Sequence, residues 1–292
     1  MNHPGESLHA GTDGLTVSVA TLEEWRHVEE WANGEGWNVG LGDVACFHAT
    51  DPAGFFLARL GTTPVAAISV VNYSDTYSFM GHYLVHPDLR GQGLGLATWE
   101  AAFPHAGNRV IGLDAALPQR SNYAKHGFRA VWDTIRYGGV LTRPGRIAEG
   151  TVRIGPGHLD AVAAYDRGWC PADRGDFVRR WLTAPGHVGH ATVRDGEVTG
   201  YGVIRPAQEG HRIGPLFADT PEEAEALLDT LTADLGPGAG LSLDMPEPQT
   251  AGGELVRARG LTERFRTVRM YNGEVPWSRA GQAYATTTLE LG

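Results

Sequence analysis

The stretch VHPDLRGQGLGLATWEAA, Val85 to Ala102, passes from a β-branched and aromatic run through a proline and closely spaced glycines into a helix-like segment. Upstream, Phe79 to Val85 (FMGHYLV) predicts a strand, which Pro87 stops. Leu94 to Phe103 predicts a helix entered directly from Arg90-Gly91-Gln92-Gly93-Leu94-Gly95. Glycines at such a junction let a ligand approach the backbone N–H groups, and both the helix N-terminus and Arg90 favour negative charge. The loop therefore suits a phosphate or pyrophosphate. A Walker A loop needs Gly-Lys-Ser/Thr, and no lysine lies nearby. A Rossmann fingerprint needs a third glycine at position 96 or 98, where Leu96 and Thr98 stand.

What fits is Arg-x-x-Gly-x-Gly, carried by Arg90, Gly93 and Gly95, and this resembles motif A of the GNAT acetyltransferase superfamily. Val85-His86-Pro87-Asp88 is similar to that family's strand-four exit, and Asn122-Tyr123-Ala124-Lys125-His126-Gly127-Phe128 to its Tyr-x-Lys-x-Gly-Phe motif B. The resemblance implies an α+β fold and acetyl-CoA as cosubstrate, with no metal. Its loop, Arg90, Gly91, Gln92, Gly93, Leu94 and Gly95, would hold the pyrophosphate. Tyr83, Leu84, Val85 and Asn122 would contact the rest of the cofactor, with the N–H near Val85 serving the oxyanion. Tyr123 matches the family's general acid, a phenol of pKa about 10 that can protonate a departing thiolate.

The general base departs from the family pattern. Phe79 and Gly81 stand where several members carry Glu or His on strand four, and strand alternation turns His82 to the opposite face. Asp114 at the end of the next strand is the candidate base, beside a water chain or an acceptor that arrives already neutral. A structural role for Asp114 competes, because Asp244 repeats it elsewhere in the chain. The loop Gly36 to Asp43 combines Trp37, Asn38 and Asp43, an aromatic wall with an amide and a carboxylate, which suits a cationic amine.

The chain also reads twice. In Leu113 to Gly139 and Leu243 to Gly273, Leu-Asp is followed five residues on by Gln119 or Gln249. After Gly127 or Gly260, Thr134 or Thr267 falls seven residues on, and Arg136 or Arg269 nine. Two hairpin signals, around Gly61 and Asp195-Gly196, and paired helical segments precede each copy. Each half therefore predicts helices, hairpin, strand, helix, strand, helix, strand, an α+β plan with a mixed, twisted sheet. The expected organisation is a flexible tail at 1–14, a catalytic GNAT domain at 15–141, a linker at 142–150 and a degenerate GNAT-like domain at 151–292, as in the tandem-GNAT branch. In the second copy Phe217 to Glu225 replaces the glycine loop, with three glutamates where pyrophosphate would sit.

Length and composition agree with a two-domain globular protein: 292 residues, 42% hydrophobic and 20% charged. A net charge of −10 argues against nucleic-acid binding. No apolar run reaches the roughly 20 residues of a membrane helix, and the polar start is unlike a signal peptide, so a cytoplasmic monomer or homodimer is expected. Cys46 and Cys170 lack metal-knuckle spacing and read as buried thiols. The leading expectation is transfer of an acetyl group to a small-molecule primary amine. A protein acetyltransferase and a non-catalytic acyl-CoA sensor are the alternatives.

Overall fold

A computed structural model describes residues 12–143, 145–236, 238–275 and 278–292. The first half runs β1 (Leu15–Val19), α1 (Arg26–Gly34), α2 (Asp43–His48), β2 (Phe55–Leu60), β3 (Thr63–Asn72), β4 (Tyr77–Val85), α3 (Leu94–Ala102), β5 (Val110–Ala116), α4 (Arg120–Lys125) and β6 (Arg129–Val140). The second half repeats that order as β7 (Thr151–Arg153), α5 (Leu159–Asp166), α6 (Gly175–Thr183), β8 (Val188–Arg194), β9 (Glu197–Pro206), β10 (His211–Ala218), α7 (Pro221–Leu231), β11 (Gly240–Pro246), α8 (Thr250–Arg257) and β12 (Thr262–Tyr271). Residues 1–11, most of the expected tail, lie outside the described residues.

Local chemistry explains these elements. Val28 and Ala32, four residues apart, bury one face of α1 with Trp25 buried at its N-cap, whereas Leu22, expected inside that helix, lies before it and is exposed. Asp195 and Gly196 both take positive φ, which turns β8 tightly into β9. Helix α3 buries Leu94, Thr98, Trp99 and Ala102 against the sheet.

The strands do not form two separate sheets. All twelve join in one mixed sheet of order β1-β2-β3-β4-β5-β12-β6-β11-β10-β9-β8-β7. The last strand of each half has crossed into the other: β12 pairs antiparallel with β5, and β6 pairs antiparallel with β11. Self-contained blocks joined by a linker are thus replaced by halves that complete each other, with Thr134 facing Thr267 at the central β6–β12 ladder.

This exchange gives the repeated residues a physical meaning. Asp114 of the first copy meets Arg269 of the second, at 2.6 and 3.1 Å, while Asp244 of the second meets Arg136 of the first, at 2.6 and 2.8 Å. Each buried carboxylate is neutralised by a bidentate guanidinium supplied across the repeat. On the sheet face carrying α1 and α2, the same sharing continues through aromatic packing. Phe47 of α2 stacks on Phe177 and Trp181 of α6 at centroid distances of 5.6 and 5.5 Å, so one apolar core serves both halves.

Candidate active site

Strands β4 and β5 pair in parallel only over Tyr77–Phe79 with Val110–Gly112, then separate. The separation begins at a bulge where His82 and Tyr83 oppose the single residue Ile68, and His82 takes a left-handed conformation, φ 45°. Beyond it, the His86 N–H donates to Val65 of β3. Alternation then commits Leu84, opposite Ala67, to β3 and turns the Val85 N–H into the opening. Of the expected strand-edge residues, Tyr83 and Val85 therefore border the gap, and the Leu84 backbone faces the neighbouring strand.

Two cavities meet at this gap. One, of about 330 Å³, lies between α3 and α4 and is lined by Tyr83, Leu96, Trp99, Asn122, Tyr123 and Lys125. The other, of about 370 Å³, lies under the α1–α2 loop and is lined by Trp37, His82, Asp114, Arg136, Phe265 and Glu290, among others. Tyr83 and Tyr123 belong to both. Burial pushes the Tyr83 phenol up to about 12 and raises the Tyr123 phenol as well, so both hydroxyls keep their protons at neutral pH.

The glycine loop leads into α3, whose Leu96 and Trp99 line the first cavity. Gly91 and Gly93 take φ of 76° and 81°, Gly93 being the N-cap of α3, and Gly91, Gln92 and Gly93 are exposed. Gly95 has a different reason to be glycine: a Cβ there would fall 2.9 Å from the Tyr83 hydroxyl and 3.0 Å from Val85 Cγ2. Leu94 is buried and anchors the helix, leaving its backbone to the loop. Arg90 donates to the Val85 carbonyl at 3.1 Å and to Glu35 Oε1, on the wall of the second cavity, at 2.6 Å. Asn122 holds Gln119 at 2.7 Å.

The acceptor residues differ from expectation. Trp37 lines the second cavity, but Asp43 is fully buried elsewhere, bidentate to Arg205 of β9 at 2.7 and 2.8 Å with His187 Nε2 at 3.6 Å. Asn38 turns outward and exchanges two hydrogen bonds with Glu209 in the second half. Both act as cross-repeat ties. His82, expected on the far face, lines the cavity because the bulge breaks the alternation. Its Nδ1 lies 3.1 Å from Ser69 Oγ, and burial lowers its pKa to about 4. Asp114 also lines the cavity with both oxygens held by Arg269, and burial raises its carboxyl above the ordinary range despite that charge. Cys46 is buried as expected, while Cys170 is partly exposed.

Sequence reasoning missed the last ten residues. Ala283 to Leu291 are all buried. In the second half β10 and β11 pair only over His211–Ile213 with Leu241–Leu243 and then separate, as β4 and β5 do. Here the segment enters the gap and joins β10 through one isolated antiparallel bridge, Leu216 with Ala285. Ala285 exchanges backbone hydrogen bonds with Leu216 at 3.0 and 3.1 Å, and the Thr286 N–H reaches Asp244 O at 2.8 Å. It then crosses β4 at Gly81, where a Cβ would collide with the Glu290 carbonyl, and delivers Leu289 and Glu290 to the cavity wall. The Leu-Glu-Leu alternation of Leu289 to Leu291 was the available signal.

The comparisons with known proteins agree with this geometry. The Acetyltransferase (GNAT) family profile matches residues 20–128, and a second Acetyltransferase (GNAT) domain profile matches 162–285. A holothin acyltransferase from Pseudoalteromonas is 34% identical over 277 residues, covering 95% of this chain and 94% of that one. Among solved structures, a presumed acetyltransferase from Pyrococcus horikoshii aligns with a TM-score of 0.81 at 20% identity, over 100% of this chain and 99% of that chain. A tandem GNAT protein of the clavulanic acid biosynthesis pathway aligns with a TM-score of 0.60 at 17% identity, over 89% and 99%. The chain belongs to the GNAT acetyltransferase superfamily, with two such domains in tandem, and is an acyltransferase.

Proposed function

We propose that the protein is an acetyl-CoA-dependent N-acetyltransferase acting on the primary amine of a small molecule, with chemistry confined to the first half. The observation that carries this reading is the meeting of two cavities at Tyr123, one behind the glycine loop and one under the α1–α2 loop. Acetyl-CoA would supply a thioester carbonyl open to direct attack by an amine. Arg90, the α3 N-terminus and the exposed Gly91 to Gly93 backbone would hold its pyrophosphate. Holding it would draw Arg90 from Glu35. The Val85 N–H, turned into the β4–β5 gap, would donate to the carbonyl oxygen as charge builds there. Tyr123 keeps its proton in the buried channel and would give it to the departing sulfur.

Support for a small acceptor comes from the size of the second cavity, about 370 Å³, and from the similarity to an enzyme named for acylating holothin. The second half would close the acceptor side, since Phe265, Leu289 and Glu290 come from it. It does not carry a cofactor loop: β10 passes through Thr220 directly into α7, and Glu222 and Glu223 occupy the first turn. The test is release of CoA from acetyl-CoA with a panel of small amines. Tyr123→Phe should lower kcat at least about tenfold with acetyl-CoA affinity unchanged. Full kcat in that variant would remove Tyr123 from the reaction.

A further inference from the structure

We propose that the acceptor is an amine already neutral on entry, an aryl or comparably weakly basic amine, and not an alkylammonium ion. This deepens the transferase reading and rests on it. Its basis is the charge balance of the second cavity. Among the described residues, the two carboxylates in the interior of that cavity, Asp114 and Glu290, already have an arginine. Asp114 is held at both oxygens by Arg269. Glu290 stands 3.8 Å from Arg212 and 4.0 Å from Arg136, and those two guanidiniums also share Asp244, so the group holds two positive and two negative charges. Glu35, whose partner Arg90 would turn to the cofactor, stands at the more exposed mouth, where an ammonium would still keep water and has not yet entered the interior. An ammonium ion entering this space would lose water and find no spare counter-ion in the interior.

A neutral amine meets suitable partners instead. Trp37 and Phe265 supply aromatic surface, the latter backed by the Arg136 guanidinium 4.7 Å from its ring centroid. Thr267 Oγ1 and His82 Nε2 are buried polar atoms with no hydrogen-bond partner among the described residues, and both residues line the cavity. Burial lowers the His82 pKa to about 4, so its ring adds no charge to the cavity. Tyr83 and Tyr123 add no charge.

A neutral acceptor also removes the need for a dedicated base. Its nitrogen forms the N–C bond as the C–S bond breaks, and Tyr123 protonates the sulfur. The proton shed by nitrogen passes to water, which restores the phenol.

The experiment uses the full chain, acetyl-CoA and matched pairs of aryl amines and arylmethyl amines, aniline with benzylamine first, followed as CoA release from pH 6 to 8. The expected result is a kcat/KM at least about tenfold higher for the aryl member at pH 7. Its profile should be flat, while that of the arylmethyl member climbs about tenfold per pH unit with its neutral fraction. Preference for the arylmethyl amine with a flat profile would overturn the proposal. So would selective loss of that substrate in Glu35→Gln, which would identify Glu35 as the ammonium's counter-ion. Calorimetric acetyl-CoA binding, lost in Arg90→Ala, checks the transferase reading separately. A protein that binds acetyl-CoA and prefers the ammonium defeats this inference alone.

Discussion

Asp114→Asn separates a structural carboxylate from a catalytic one. Arg269 is 2% exposed, and Asp114 accepts from it at 2.6 and 3.1 Å, so the substitution leaves a buried guanidinium without its counter-charge. Breaking such a pair from one side costs about 3–5 kcal/mol. Unfolding entropy of about 2.1 cal/mol/K per residue, summed over 292 residues, is about 0.6 kcal/mol/K, so the expected fall in Tm is about 5–8 °C. Because β12 lies between β5 and β6, the loss should appear in one cooperative transition and not as early melting of one half. Differential scanning calorimetry gives the shift, and CoA release measured well below the new Tm gives the activity. A kcat within a few-fold of the parent, with an unchanged pH profile, is expected. An unchanged Tm together with a hundredfold loss of kcat would refute the reasoning and make Asp114 the base.

Two further outcomes follow from the same structure. His82 and His187 both have folded-state pKa values lowered by burial to about 4, so the unfolded chain takes up protons first as pH falls. Their contribution is complete above about pH 6.5 and is lost between there and pH 4, at up to about 1.4 kcal/mol per pH unit for each; urea midpoints at pH 7 and pH 5 should show the drop, and His187→Asn should flatten it. Gly81→Ala sets a methyl group against the Glu290 backbone, so amide exchange should quicken over residues 284–291. Displacing the cavity wall should lower kcat on the order of tenfold while leaving acetyl-CoA affinity within about twofold; unchanged exchange there would mean that the segment does not lean on β4.

The glycine loop, motif B and the element order were legible because each is local: a few φ angles, a cap or a hydrophobic period decides it. Partner choice was not local. The repeated Asp and Arg marked equivalent places in both copies, but alternation cannot say whose β5 a strand will join, so the crossed pairs Asp114–Arg269 and Asp244–Arg136 needed the topology. His82 failed for a narrower reason. One extra residue at a bulge reverses which face a side chain takes, and nothing in FMGHYLV marks the bulge. Asp43 looked like a ligand because it follows Trp37 in a polar loop. Its partner Arg205 lies 162 residues away, beyond the reach of any window read along the chain.

The crossed strands also set a schedule for synthesis. Arg269 follows Asp114 by 155 residues. At about 5–20 residues per second, a ribosome needs roughly 8–30 s to make that interval. Through that time the first half has its glycine loop and its tyrosine, but β5 lacks its neighbour and Asp114 its cation. Glu290 arrives later still. The half that carries the glycine loop and Tyr123 is made first and finished last, so any release of the chain before its final strand yields a chain with every expected motif and a sheet broken between β5 and β6.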